Sequence, residues 1–144
     1  MKVNFKKLSE DATSPVYATE FSAGADLYNL NTAVSVPAHA TVLIHTGIAA
    51  EIPEGYCGLI FARSGLATKR GLAPANKVGV IDADYRGEIM VALHNHSDKD
   101  CEVEPCERIA QLAIVPFLKA EFFEVEELSS TVRGAGGFGS TGTK

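Results

Sequence analysis

Asp82 and Tyr85 stand three residues apart in Gly79-Val80-Ile81-Asp82-Ala83-Asp84-Tyr85-Arg86-Gly87-Glu88, an acidic turn bracketed by glycines and flanked by apolar stretches. An aspartate at the end of a strand, just after Val80 and Ile81, is a candidate general base, because partial burial disfavours its charged form. Ordinary turn chemistry, with Asp82 and Asp84 bonded to their own backbone, is the other reading. The pattern predicts a β-hairpin with Asp82 closing one strand and Tyr85 opening the return. A second constellation, Arg63-Ser64-Gly65, follows the apolar Gly58-Leu59-Ile60-Phe61-Ala62. A guanidinium, a hydroxyl and the orphan N–H groups of a helix start can converge on one phosphate. The plainer alternative is a Ser64 N-cap beside a surface arginine.

Two further segments carry polar residues in apolar settings. Ala23-Gly24-Ala25-Asp26-Leu27 offers an acid suited to a metal-bound water or to capping a turn. In Glu107-Arg108-Ile109-Ala110-Gln111-Leu112, Arg108 and Gln111 need buried partners or a ligand. The chain ends in Arg133-Gly134-Ala135-Gly136-Gly137-Phe138-Gly139-Ser140-Thr141-Gly142. Residues 129–144 hold five glycines and six Ser or Thr, too little apolar surface to fold alone. The run nevertheless sets a cation, an aromatic ring, backbone donors and two hydroxyls side by side. That is the equipment of a flap closing over a flat ring with phosphates, whereas composition alone describes a solvated tail.

The elements that must position these residues read as β throughout. Residues 40–52, 56–62, 88–94 and 109–115 are strand-length runs rich in Val, Ile and Leu, punctuated by Gly, Pro and Asn. Many short strands without long helical periodicity predict an all-β sandwich, barrel or jelly roll. One short helix is expected between Ser64 and Gly71. The organisation expected is a β domain over residues 1–128 and a glycine-rich flap over 129–144.

Composition narrows the partners. The 13 basic and 18 acidic side chains give a net charge of −5, so there is no global field for nucleic acid. An anionic ligand must meet a local cluster. The sequence contains no apolar run of membrane-spanning length and no signal-like start. Three cysteines, Cys57, Cys101 and Cys106, without Cys-x-x-Cys spacing, read as reduced thiols of a cytoplasmic protein.

Other patterns fail on context. Gly134-Ala135-Gly136-Gly137-Phe138-Gly139 matches a dinucleotide-binding glycine pattern, but the chain stops five residues later, leaving no room for the helix that motif needs. Ser140 stands where a phosphate-binding loop needs lysine. His94 and His96 share a strand face without a spaced third metal ligand, and read as surface histidines. No base activates Cys101 or Cys106 as a nucleophile.

Taken together, the five segments resemble the five ordered motifs of the homotrimeric dUTP pyrophosphatases (dUTPases), across nearly the whole chain. One departure is Cys106, where the fourth motif usually begins with glycine. The resemblance implies a jelly-roll homotrimer whose three active sites lie between subunits. The implied reaction is hydrolysis of dUTP to dUMP and pyrophosphate, with Mg2+ on the triphosphate. By the same resemblance Asp82 is the base for water attacking the α-phosphorus, and Tyr85 packs beneath the deoxyribose. Asn76, with Gly79, Val80, Ile81 and Met90, reads the uracil. Arg63, Ser64, Gly65 and Gln111 hold phosphates, and Asp26 steadies magnesium through water. In the tail Phe138 stacks on uracil, Arg133 meets the γ-phosphate, and Gly139, Ser140 and Thr141 wrap the chain. A dCTP deaminase on the same fold, or a non-catalytic nucleotide-binding trimer, are the competing readings. Pyrophosphate release from dUTP, ammonia release from dCTP, or binding without product would separate the three.

Overall fold

The computed structural model describes residues 1–137. Among the described residues, eleven short strands and one helix make up the regular structure, and all their pairings are antiparallel. The widest sheet orders β2 (Ala25–Tyr28), β11 (Arg108–Pro116), β6 (Tyr56–Ala62) and β8 (Gly79–Ile81). A second sheet joins β4 (Thr41–His45), β9 (Met90–Asn95) and β7 (Leu72–Pro74). Two two-stranded pairs, β1 (Asn4–Lys7) with β5 (Ile48–Glu51) and β3 (Val34–Val36) with β10 (Cys101–Val103), complete this jelly roll.

Period-two alternation builds the core. In β9, Val91, Leu93 and Asn95 are buried while Met90, Ala92 and His94 face outward. Val91 and Leu93 join Leu27, Ile44, Ile60 and Ile109 in one apolar cluster. Buried Asn95 is satisfied by the carbonyls of Val36 (2.9 Å) and Lys99 (2.8 Å) and by the Ser97 N–H.

Four expectations need correction. The run 40–52 is two strands, because Gly47 turns with φ 67° between β4 and β5. The 79–88 segment is not a hairpin: β8 pairs with β6, whereas β9 pairs with β4 and β7, so the acidic turn crosses between sheets. The helix α1 (Ser64–Arg70) is capped by Arg63, with no side-chain cap bond, so Ser64 begins the helix instead of preceding it. Asp82 is exposed, not partly buried, because the turn carries it off the sheet edge. The helix does end at Gly71, in the left-handed conformation at φ 69°.

Candidate active site

Strand register explains how a cluster of donors forms around Asp26. Asp26 in β2 lies opposite Gln111 in β11, and Gln111 lies opposite Phe61 in β6. Directly paired residues share a face, and Arg63, two residues beyond Phe61, points the same way. Arg108 should face the other side, being three residues from Gln111. A bulge between Arg108 and Ala110 slips the register and pairs Arg108 with Tyr28, which restores it to the Asp26 face.

The result is a carboxylate only 2% exposed beneath three donors. Arg63 Nε donates to Asp26 Oδ1 at 2.9 Å, Gln111 Nε2 to the same oxygen at 3.3 Å, and Arg108 Nη1 to Oδ2 at 3.3 Å. A buried carboxylate is tolerated only with such partners. Two arginines against one aspartate leave the cluster net positive, which suits an anion. Gly65, at the start of α1, has open space on its Cβ side, so a ligand can approach the backbone there. Glu107 fixes the helix from below: its Oε1 accepts from Arg70 Nη1 at 2.5 Å and its Oε2 from the Glu104 N–H at 2.9 Å.

The turn that carries Asp82 is built differently. Tyr85 N–H closes it onto the Asp82 carbonyl at 3.1 Å. Arg86 Nη1 donates to the carbonyls of Ala83 (2.6 Å) and Tyr85 (3.0 Å), stapling the turn from outside. The segment after it is stitched to the β4–β5 corner. Glu88 Oε1 accepts the Gly47 N–H at 2.7 Å, and Glu88 Oε2 lies 2.9 Å from His45 Nδ1. Thr46 Oγ1 donates to the Ile89 carbonyl at 2.6 Å, and the Ile89 N–H to Ile48 at 2.7 Å. Burial pushes the Glu88 carboxyl up, but the His45 hydrogen bond, the Gly47 N–H and the His45 charge outweigh it and hold it below the usual carboxylate range. Val80, Ile81, Asp82, Tyr85 and Met90 line one hollow of about 220 Å3 together with Leu43 and Glu88.

The sequence-derived site residues therefore form two groups. Asp26, Arg63, Ser64, Gly65 and Gln111 gather at one end of the wide sheet. Val80, Ile81, Asp82 and Tyr85 lie toward the other, around the hollow they share with Met90 of the second sheet. Asn76 sits in the turn before β8, its amide against Gly79, where an added Cβ would lie 3.3 Å from Nδ2. Arg133 Nε donates within its own turn to the Gly136 carbonyl at 2.8 Å. Phe138, Gly139, Ser140 and Thr141 lie outside the described residues. Sequence reasoning singled out Arg108 only as a residue needing a buried partner or a ligand, a partner the bulge supplies, and gave no role to Glu88, an acid between Gly87 and buried Ile89.

In β6 and β8, Gly58 faces Ile81 and Ile60 faces Gly79, so the strands run in opposite directions. Asp82 follows the end of β8 near Cys57, and Arg63 follows the far end of β6. Six residues at about 3.3 Å each put the two groups about 20 Å apart along the sheet.

A family model described as dUTPase matches residues 10–142 of the chain. The chain belongs to the dUTPase family. The deoxyuridine 5'-triphosphate nucleotidohydrolase of Hydrogenobaculum sp. is 54% identical over 144 residues, covering 100% of both chains. That of Nautilia profundicola is 51% identical over 142 residues, covering 99% of each. Among solved structures, the Staphylococcus bacteriophage 80alpha dUTPase with dUPNHPP superposes with a TM-score of 0.90, at 32% identity over 98% of each chain. The D95N dUTPase of phage phi11 of S. aureus, described with a structural Mg(II) ion, is 28% identical with a TM-score of 0.80, covering 88% of this chain and 98% of that one.

Proposed function

We propose that this chain hydrolyses dUTP to dUMP and pyrophosphate in sites shared between subunits of a homotrimer, with Asp82 as the base. The separation of Asp82 from Arg63 by the length of β6 carries the reading: a complete site needs the turn of one subunit beside the arginine cluster of another. The extension past β11 supports association, since Leu118, Phe122, Phe123 and Leu128 stand exposed on it and need cover.

In-line attack at phosphorus asks for positioning, charge neutralisation and one base. Asp82 takes the proton of a water as its oxygen bonds to the α-phosphorus. The α–β bridging oxygen then leaves with pyrophosphate. Arg63, the start of α1 at Ser64 and Gly65, and Gln111 hold the phosphates. Val80, Ile81 and Met90, with Gly79 and Asn76, form the uracil wall, and Tyr85 lies under the deoxyribose. In the tail Phe138 stacks on the base, Arg133 meets the γ-phosphate, and Gly139, Ser140 and Thr141 close the flap. Magnesium, carried on the triphosphate, would neutralise its charge. Asp26 fits such an ion only through water, because three donors already occupy its oxygens and leave about one acceptor position free. The three free cysteines suit a reducing cytoplasm.

Subunit mixing tests the shared site. Asp82→Asn and Arg63→Ala variants, each nearly inactive alone with dUTP and magnesium, are unfolded together and reassembled. Random assortment pairs an intact Asp82 with an intact Arg63 at about one site in four, so pyrophosphate release returns to about a quarter of the wild-type rate. No recovery in verified mixed trimers would place the whole site in one chain. Removing residues 133–144 should leave a folded trimer with far lower dUTP turnover, measured by the same pyrophosphate assay.

A further inference from the structure

We infer that Gly87 and Glu88 are positioning residues for Tyr85 and thereby set the discrimination between deoxyribose and ribose nucleotides. The inference rests on the placement of Tyr85 under the sugar given above. The Tyr85 ring folds back over Gly87 so closely that a Cβ there would come within 2.6 Å of Cζ and still nearer the phenol oxygen. The Tyr85 hydroxyl then donates to the Glu88 carbonyl at 2.9 Å. That carbonyl is held in turn by the Glu88 side chain, whose two oxygens engage Gly47 and His45 on the β4–β5 corner. The ring thus has a floor at residue 87, a tether at residue 88, and an anchor for the tether in a different sheet.

Tyr85 is 41% exposed and lines the same hollow as Asp82, so its ring is open to a ligand on that side. Its height above Gly87 decides whether a 2′-hydroxyl fits. Gly87 is a clean place to intervene. Its φ lies outside the left-handed region, so alanine is tolerated by the backbone, and all three nearest atoms to the added methyl belong to Tyr85.

The experiment measures kcat/KM for dUTP and for UTP in assembled trimers of Gly87→Ala, Glu88→Ala, Glu88→Gln and Tyr85→Ala. Gly87→Ala should lower the dUTP-to-UTP preference about tenfold, the scale of one misplaced methyl in a binding pocket. Glu88→Ala should lower it about threefold, as one tethering contact is lost. Glu88→Gln should restore most of that, since its amide oxygen still accepts the Gly47 N–H. A merely structural role would lower the melting temperature of these variants and leave the preference where it was. Should Gly87→Ala not assemble, Glu88→Ala against Glu88→Gln carries the test. If Tyr85→Ala relaxes the preference while Gly87→Ala and Glu88→Ala keep the wild-type ratio, the positioning inference is overturned. If Tyr85→Ala also keeps it, the sugar-stacking role of Tyr85 fails and takes this inference with it.

Discussion

Asp26 lies at 2% exposure beneath two arginines and a glutamine, whereas Asp82 stands in solvent on a turn held only from behind. Both are aspartates of short β segments, Asp26 within β2 and Asp82 just past the end of β8, yet one is enclosed by its own chain and the other is open. The Asp26 cluster draws on three neighbouring strands whose register alone brings Arg63 and Gln111 to one face, so its charges are preorganised before any ligand arrives. The turn at Asp82 has its geometry but not its environment: the apolar side chains beside it, Val80 and Leu43, are still open. The contrast assigns different work to the two carboxylates. Under the proposed function Asp26 would aim the two guanidiniums, and Asp82 would accept a proton once another subunit and the substrate enclose it.

The largest effect should come from Asp82→Asn. The side chain keeps its size, so dUTP still binds, while turnover falls by about 10²–10⁴, the usual contribution of a positioned base. Steady-state pyrophosphate release with a parallel dUTP titration measures both. Wild-type turnover in this variant would remove Asp82 from the chemistry and leave the two aspartates indistinguishable in role.

Asp26→Asn attacks the other side of the comparison. Losing the buried charge frees Arg63 and Arg108 from their common acceptor and strips one charge-assisted bond from each. At about 1.5–3 kcal/mol for such a bond, kcat/KM for dUTP should drop roughly 10–100-fold. Thermal stability should fall as well, because the two guanidiniums then repel with nothing between them. For Asp82→Asn the melting temperature should stay near wild type. If Asp26→Asn instead lost activity without losing stability, the carboxylate would be acting on the ligand and not on its arginines.

How much of this was legible in the sequence depends on the range over which each feature is decided. The β class, the helix stop at Gly71 and the grouping of Arg63 with Ser64 and Gly65 are local, written in alternation and turn residues. The hairpin was misread because Gly79 and Gly87 signal a turn but not which strands it joins; β8 finds β6, and β9 finds β4 and β7. The three-residue strands β3 and β10 are too short to show a period. Asp26 between Ala25 and Leu27 read as an acid for a metal-bound water or a turn cap; its burial under two arginines, and the bulge that swings Arg108 onto it, are register events with no local signature. Glu88 was overlooked for the same reason, since its partners His45 and Gly47 are some 40 residues away.

Cys106 gives the finest test of how the cluster is held. It stands where the fourth motif usually has glycine, and its φ of 55° keeps the left-handed backbone that glycine would adopt. Its N–H still reaches the Leu30 carbonyl at 3.2 Å, so the turn into β11 is made despite the Cβ. A left-handed non-glycine residue costs about 1–2 kcal/mol, while glycine there would lose about 0.5–1 kcal/mol more backbone entropy on folding. The difference favours Cys106→Gly by about 1 kcal/mol or less, a small upward shift in a denaturant midpoint at unchanged slope. Activity should hold, because Arg108 and Gln111 leave the turn in the same register either way. A loss of dUTP turnover on Cys106→Gly would mean that the strained turn itself aims Arg108, and that the Asp26 cluster is less self-contained than its hydrogen bonds imply.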